Sequence, residues 1–183
     1  MSWLQRLSHR IDTLNIRVGH AISWLSFVLV LVIAWNVLLR YLFHRGSVAM
    51  QELEWHLFGP LFILTAGYTL ALDEHVRVDI FYSRVSRKTK AVVDFVGSLL
   101  FLTPVVVLVI WTSWSFIAAS WGAGEGSPDP GGLPARYILK AVMPVGFILL
   151  GLQGLSMAIH SLCRLLGMES DEGSHSEETR VGT

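Results

Sequence analysis

The chain has 183 residues, of which 52% are hydrophobic and 15% charged, and its formal net charge is zero. Soluble domains carry about 25% charged residues, so this composition indicates a membrane protein. The balanced charge, with no Lys/Arg-dense stretch outside one short loop, argues against a nucleic-acid-binding role. The single cysteine, Cys163, excludes an internal disulfide, and we expect it to be a small apolar residue at a helix end.

The chain before the first apolar run, residues 1–18, is predicted to be an amphipathic helix on the cytoplasmic membrane surface. Its apolar residues repeat at helical spacing: Leu4, Leu7, Ile11, Leu14 and Val18. Arg6, Arg10 and Asp12 fall between them, which is typical of a helix that lies in the interface plane. Trp3 and Leu7 are therefore candidate membrane-surface residues.

Four apolar segments of 18 or more residues follow, at about 19–39, 55–72, 91–116 and 141–162. Each is long enough to cross a hydrocarbon layer of ~30 Å as a helix. A helix is required because backbone groups cannot remain unpaired in lipid. The sequence thus predicts an all-α integral membrane protein with a four-helix transmembrane domain over 19–165. Prolines inside three of these spans, Pro60, Pro104 and Pro144, are expected to be tolerated kinks.

The loop between spans two and three is predicted to contain a short interfacial helix. Its apolar residues lie at positions i, i+3, i+4 and i+7: Val78, Phe81, Tyr82 and Val85. This helix should break near Ser86, which could cap the third span. Phe81, Arg87 and Lys88 are candidate membrane-surface residues, and a simple solvated loop is the alternative.

Two other segments lack the pattern of a helix. Gly and Pro dominate residues 122–132, which predicts an exposed, irregular periplasmic connection. The polar and acidic residues 166–183 predict a disordered cytoplasmic tail.

The distribution of lysine and arginine predicts the orientation in the membrane. The N-terminal segment, the middle loop and the C-terminal tail together hold ten of these residues, whereas the other two connections hold four. The positive-inside rule places both termini and the middle loop in the cytoplasm.

Several residues suggest how the helices meet lipid and one another. Trp24, Trp55, Trp114 and Trp121 lie near span ends, where indole rings suit the lipid–water boundary, while the deeper Trp35 and Trp111 are expected to pack between helices. Small residues on one face of span four are candidates for close contact with another helix, with lipid contact as the alternative: Gly151, Gly154 and Ala158. Asn36 and Gln153 are predicted to form hydrogen bonds between helices.

Acidic residues open span two, at Glu52 and Glu54. A carboxylate suits the positive end of a helix dipole, and that is one explanation. The other is contact with a partner chain, with Arg40 or Arg45 on the same side; Trp55 belongs to the same candidate interface. The two carboxylates are two residues apart and point to different helix faces, so they do not form a catalytic pair.

The histidines do not suggest a cofactor. His56 and His160 lie near opposite ends of their spans, so they cannot share a haem; His20 and His160 lie on one side but at the span margins. The sequence contains no G-x-x-x-x-G-K-[ST], H-E-x-x-H or G-x-S-x-G motif. Asp, Glu, Lys and Arg are also missing from the middle of every span, where a transporter normally places such groups. We therefore expect no cofactor, no catalytic or metal site, and no substrate pathway within this chain.

Three motifs in order resemble a known family. They are Asn36-Val37-Leu38-Leu39-Arg40-Tyr41-Leu42-Phe43, then Gln51-Glu52-Leu53-Glu54-Trp55-His56-Leu57-Phe58, then Asp73-Glu74-His75-Val76-Arg77-Val78-Asp79. On a four-span frame they resemble the small membrane subunit of tripartite ATP-independent periplasmic (TRAP) transporters, over roughly residues 15–165. The family often has two adjacent glutamates before span two, whereas here the acids are separated.

The resemblance implies a non-enzymatic helper subunit in a bacterial or archaeal inner membrane. In such systems a periplasmic substrate-binding protein delivers organic acids to a large membrane subunit, and a sodium gradient drives uptake. The small subunit is thought to widen the static scaffold beside the large one. Two alternatives stay open: a membrane anchor or cytochrome b-like subunit of an oxidoreductase, and a self-sufficient small transporter or channel.

Overall fold

The computed structural model describes residues 3–72 and 86–167, except the side chain of Arg87. This part of the chain is helical and has no β-strand. In chain order it contains α1 (Trp3–Leu42), α2 (Val48–Leu64), α3 (Ala66–Ala71), α4 (Arg87–Val96), a π-helical segment (Gly97–Leu102), α5 (Thr103–Gly122) and α6 (Arg136–Leu165). The predicted interfacial helix over 78–85, with Phe81, lies outside the described residues, as do residues 168–183 of the predicted tail.

Three helical stretches are long and apolar enough to cross a membrane: Trp3–Leu42, Lys88–Gly122 and Arg136–Leu165. They contain the first, third and fourth predicted spans. The remaining predicted span, 55–72, falls on α2 and α3, which are separated at Thr65. The structure therefore confirms an all-helical architecture with long apolar helices for the described part of the chain.

Helix α1 is continuous from Trp3 to Leu42, so residues 3–18 belong to the same helix as the first predicted span. The membrane-surface position of residues 1–18 stays a prediction. The helix contains no proline and one glycine, Gly19, so nothing in its sequence stops it at residue 18. Its 40 residues correspond to about 60 Å at ~1.5 Å per residue, roughly twice a hydrocarbon layer. The helix therefore extends well beyond one bilayer thickness or tilts strongly.

The buried stripe of the N-terminal part of α1 is not the predicted apolar one. It consists of Ser8, Ile11, Asn15 and Gly19, which face other helices of the chain. Trp3 and Leu14 are exposed and Leu7 is half-buried. Only Ile11 belongs to both the buried stripe and the predicted apolar stripe. Ser8 and Asn15 are buried because they form hydrogen bonds with residues of α6.

The interruption between α2 and α3 has a local cause. Thr65 adopts φ −85° and ψ −7°, and its hydroxyl donates to the Leu61 carbonyl at 2.6 Å. The chain turns slightly at Thr65 and continues as helix, so its backbone groups stay paired.

The third apolar stretch begins at a side-chain cap, as predicted. The Ser86 hydroxyl accepts a hydrogen bond from the Thr89 amide at 3.3 Å. A π-helical turn follows just before Pro104, and there the Thr103 amide donates to the Ser98 carbonyl, five residues back. A proline that cannot donate to the preceding turn explains the wider turn, and the Thr103 hydroxyl also donates to that carbonyl at 2.8 Å.

Helix α6 lies at the centre of the bundle and contacts every other helical element. Small residues on α6 make these contacts close. A Cβ atom at Gly146 would overlap Ile63 of α2, one at Gly151 would lie 2.8 Å from Val106 of α5, and one at Gly154 would overlap Leu102. Close helix approach at Gly151, Gly154 and the buried Ala158 is therefore confirmed, but the neighbours belong to the same chain.

Candidate functional site

The ionisable side chains of the described residues gather near the ends of the helices. One group surrounds Glu52, where α2 begins and α6 begins; another surrounds Asp12, where α1 crosses the C-terminal half of α6. Each of these two groups joins at least two helices through side-chain hydrogen bonds.

The Glu52 cluster consists of Glu52, Trp55, Ser127, Leu133 and Arg136. The carboxylate of Glu52 is 4% exposed and accepts hydrogen bonds from the Ser127 hydroxyl at 2.5 Å, the Leu133 amide at 2.6 Å and Arg136 Nη2 at 3.0 Å. The Arg136 guanidinium also lies 5.3 Å from the ring centre of Trp55, a cation–π distance. One carboxylate therefore joins α2, the 123–135 loop and α6.

These hydrogen bonds favour the ionised form of the carboxylate. The bond from Ser127, with those from the Leu133 amide and Arg136, lowers the pKa of Glu52 despite burial, which acts in the opposite direction. A charged Glu52 therefore matches the positive Arg136. The pairing expected with Arg40 or Arg45 is replaced by this pairing within the loop and α6.

Glu125, near the start of the 123–135 loop, connects this loop to α6. Glu125 forms an ion pair with Lys140 of α6, and the Lys140 ammonium lies 4.0 Å from the ring centre of Phe116 on α5. The hydrogen bond from Lys140 lowers the pKa of Glu125. The Arg136 amide donates to the Glu125 carbonyl at 2.9 Å. Residues 123–135 lack regular structure, as predicted, but Glu125, Ser127 and Leu133 are half-buried rather than exposed.

Glu54 has a different partner from Glu52. Its carboxylate accepts a hydrogen bond from Asn36 Nδ2 of α1 at 2.6 Å, and Asn36 is 4% exposed. The predicted cross-helix hydrogen bond of Asn36 is therefore confirmed. His56, two residues later, bonds the Glu52 carbonyl through Nδ1 at 2.7 Å.

The Asp12 cluster consists of Asp12, Asn15, Gln153, Ser156 and His160. Asp12 Oδ1 accepts from Gln153 Nε2 at 2.8 Å and from Ser156 Oγ at 2.6 Å, while Oδ2 lies 3.0 Å from His160 Nε2. Asn15 Nδ2 donates to Gln153 Oε1 at 2.9 Å. The cross-helix role predicted for Gln153 is thus confirmed, and the cluster connects α1 to α6.

One atom of this cluster has no hydrogen-bond partner in the described chain, the buried Oδ1 of Asn15. A Cβ atom at Gly67 of α3 would overlap it, so the oxygen lies directly against the Gly67 backbone. A weak contact with a Cα–H group is possible only because residue 67 is glycine. This close approach brings α3 against both α1 and α6.

Sequence reasoning missed most of the Asp12 cluster. The signal was present as two polar stripes at helical spacing, one over Ser8, Asp12 and Asn15 and one over Gln153, Ser156 and His160. Each stripe alone resembles an interfacial face, so the apolar repeat beside it determined the prediction. Ser127 was missed because a loop residue gives no periodic signal, and Arg136 was missed because it stands at the first position of α6, before the apolar repeat begins.

The chain can be compared with known families on this basis. A family model described as Tripartite ATP-independent periplasmic transporters, DctQ component, matches residues 29–164. The chain belongs to this family. The resemblance of the three sequence motifs to the small TRAP subunit is therefore confirmed, and this DctQ component is a membrane protein of a transport system. A search of curated proteins finds no match.

The remaining residues singled out in the sequence of this DctQ component lie outside the two clusters or at their edge, and most are exposed. Arg40 is exposed in the last turn of α1, Trp55 is 39% exposed beside Arg136, and Lys88 is exposed in the first turn of α4. Trp35 and Trp111, predicted to pack between helices, are 56% and 81% exposed, so that prediction is wrong within this chain. Cys163 is buried near the end of α6, as expected.

Proposed function

We propose that this DctQ component is the small permease subunit of a sodium-driven TRAP transporter for organic acids, acting as a scaffold for the large subunit. The observation that carries the proposal is the family match over residues 29–164. The proposed partners are the large membrane subunit and a periplasmic substrate-binding protein. The proposed location is a bacterial or archaeal inner membrane, with both termini in the cytoplasm.

The polar contacts support a scaffold rather than a transport pathway. A transport site needs polar groups that exchange partners with a substrate or ion. In the described chain the carboxylates of Asp12, Glu52 and Glu125 are each bonded to side chains of the same chain. Their bonds fix helices and a loop, and the sodium and substrate ligands would then belong to the large subunit.

The histidines of the described spans support the same proposal over a haem-binding anchor. His160 faces Asp12 at 3.0 Å, His56 bonds the Glu52 carbonyl, and the His20 ring meets Tyr68 edge-on with 5.6 Å between centres. Haem ligation through His160 Nε2 would break its contact with Asp12. A Soret absorption band in the purified protein would favour the anchor instead.

Four spans are part of the proposal. The predicted second span, about 55–72, falls on α2 and α3, which run as nearly continuous helix across Thr65. Cysteines introduced at Ser86 and at the exposed Asp129, in a Cys163→Ala variant, test the orientation. An impermeant thiol reagent added outside cells should label position 129 and not 86, and the opposite result would overturn the topology.

The large subunit must contact a surface that the chain does not use itself. The face with Gly151, Gly154 and Ala158 packs on α5 and the π-helical segment, so a partner helix cannot occupy it at the same depth. Trp55 is exposed and Glu54 half-buried where α2 begins. We propose the large subunit contacts this region.

Reconstitution tests the function directly. Proteoliposomes containing the small and large subunits, supplied with binding protein and an inward sodium gradient, should accumulate an organic acid. Omitting either membrane subunit, the binding protein or the gradient should abolish uptake. Uptake by the small subunit alone would show that it is a self-sufficient transporter.

Alanine variants separate a scaffold from a pathway. Single replacement of Asn36, His56, Gln153 or His160 should leave uptake per assembled complex near the parent level. The reason is that their bonds hold helices together and contribute no ligand to the substrate. Loss of uptake in one variant that assembles normally would contradict the scaffold role.

A further inference from the structure

The end of α1 carries an open groove that the bundle leaves unfilled. Its walls are Trp35, Leu39 and Phe43, which lie on one helix face at spacings of four residues, and Arg45 closes it. The groove has a volume of about 470 Å³. Its aromatic residues are largely exposed, Trp35 at 56% and Phe43 at 64%. An apolar surface of this kind faces lipid or a ligand with an apolar part.

The backbone after α1 brings Arg45 back over the groove. His44 adopts a left-handed conformation with φ 50°, which ends the helix. The amides of Phe43 and Arg45 then both donate to the Leu39 carbonyl, each at 3.2 Å. Arg45 is thereby held beside Leu39 rather than extended away from the helix. The groove thus has an apolar wall and a cationic rim.

The positive charge at this rim is uncompensated. Arg40 and Arg45 are both exposed, and no carboxylate of the described residues forms an ion pair with either. The nearest acids along the chain have other partners: Glu52 pairs with Arg136, and Glu54 accepts from Asn36. Two guanidinium groups therefore lie where the apolar surface of α1 ends.

We propose that this groove binds one anionic phospholipid of the leaflet in which α1 ends. The phosphate would be held by Arg45 and Arg40, because a guanidinium matches a phosphate with two parallel hydrogen bonds. One acyl chain would lie along Trp35, Leu39 and Phe43. Charge complementarity at the rim selects an anionic headgroup, and the apolar wall selects a lipid over a free phosphate ion.

Native mass spectrometry of the full chain in detergent tests the proposal. Phosphatidylglycerol should form a one-to-one complex at a concentration at least tenfold lower than phosphatidylcholine of the same acyl chains. The Arg40→Gln/Arg45→Gln variant should lose this preference. Arg17→Gln, an exposed arginine elsewhere on α1, is the matched control and should retain it. Inorganic phosphate at the same concentrations should not compete.

Three results would overturn the proposal. Equal binding of the two lipids by the parent chain would show that the rim does not select charge. Full retention of the preference in the double variant would place the lipid elsewhere. Loss of the large subunit from the double variant, with the lipid preference unchanged, would assign the two arginines to a carboxylate on that subunit. Circular dichroism of each variant confirms that the helices are intact.

Discussion

Replacing Asp12 by alanine tests whether the Asp12 cluster holds α1 on α6. The carboxylate accepts hydrogen bonds from Gln153 at 2.8 Å and Ser156 at 2.6 Å, and it faces His160 at 3.0 Å. Both Gln153 and Ser156 are buried, so neither can turn to water when the carboxylate is removed. Alanine therefore leaves buried donors without their acceptor.

The expected loss follows from those donors. A buried donor left unpaired costs about 1–3 kcal/mol. Ser156 can turn to the Ser8 carbonyl at 3.2 Å and the His160 side chain is half-buried, so the buried Gln153 accounts for most of the effect. We expect the free energy of unfolding of Asp12→Ala to fall by about 1–3 kcal/mol. At roughly 2–4 °C per kcal/mol for a chain of this size, Tm should fall by about 2–12 °C.

Thermal unfolding in detergent, followed by circular dichroism, measures this change. Asp12→Asn keeps an acceptor oxygen near Gln153 and loses the charge, so its Tm should lie between those of the parent and Asp12→Ala. His9→Ala, at an exposed site on the same helix, is the control and should change stability by no more than about 0.5 kcal/mol. Equal Tm values for Asp12→Ala and His9→Ala would refute the argument that this cluster holds the two helices together.

Two further predictions concern the loop and the helix packing. Because the pKa of Glu52 is lowered in the folded chain, its contribution to stability is present above the ordinary glutamate value of about 4.3 and is lost as pH falls below it. The Leu133 amide should lose hydrogen-exchange protection at acid pH, and already at neutral pH in Glu52→Gln; unchanged protection in both would contradict the role of this bond. Gly154→Ala should destabilise by about 1–3 kcal/mol, because the new methyl overlaps Leu102. Gly97→Ala is the control and should not destabilise the chain, because a Cβ there meets nothing within 4 Å. An equal loss of stability in the two variants would mean that the close packing at Gly154 is unimportant.

Local and periodic signals predicted much of the fold. Long apolar runs gave the helices because lipid-facing backbone must pair within its own segment. The cap at Ser86 was predictable, since a serine hydroxyl before a helical run accepts from an amide of the first turn. Asn36 and Gln153 were also predictable, because an isolated amide in an apolar helix requires a partner. Their partners, Glu54 and Asn15, were not.

The remaining features depend on which face of a helix meets protein. An apolar face meets lipid as readily as it meets another helix, so periodicity cannot assign Trp35 or Trp111 to the interior. Both are largely exposed, on faces that no other described helix covers. For the same reason, the apolar stripe in the N-terminal part of α1 predicted a helix on the membrane surface. The polar stripe through Asp12 is the one that packs on α6.

The positions of the buried hydrogen bonds limit how the subunit can move. The Asp12 cluster ties α6 to the N-terminal part of α1, while the Glu52 cluster ties the opposite end of α6 to α2 and to the 123–135 loop. A relative shift of α6 against α1 or α2 would break several buried hydrogen bonds at once, and each unpaired group costs about 1–3 kcal/mol. The described helices should therefore behave as one rigid body, with the large apolar surfaces of α1 and α5 left for lipid and partner. A rigid body with an apolar exterior suits a static scaffold, whereas a moving carrier would need an interface whose bonds exchange.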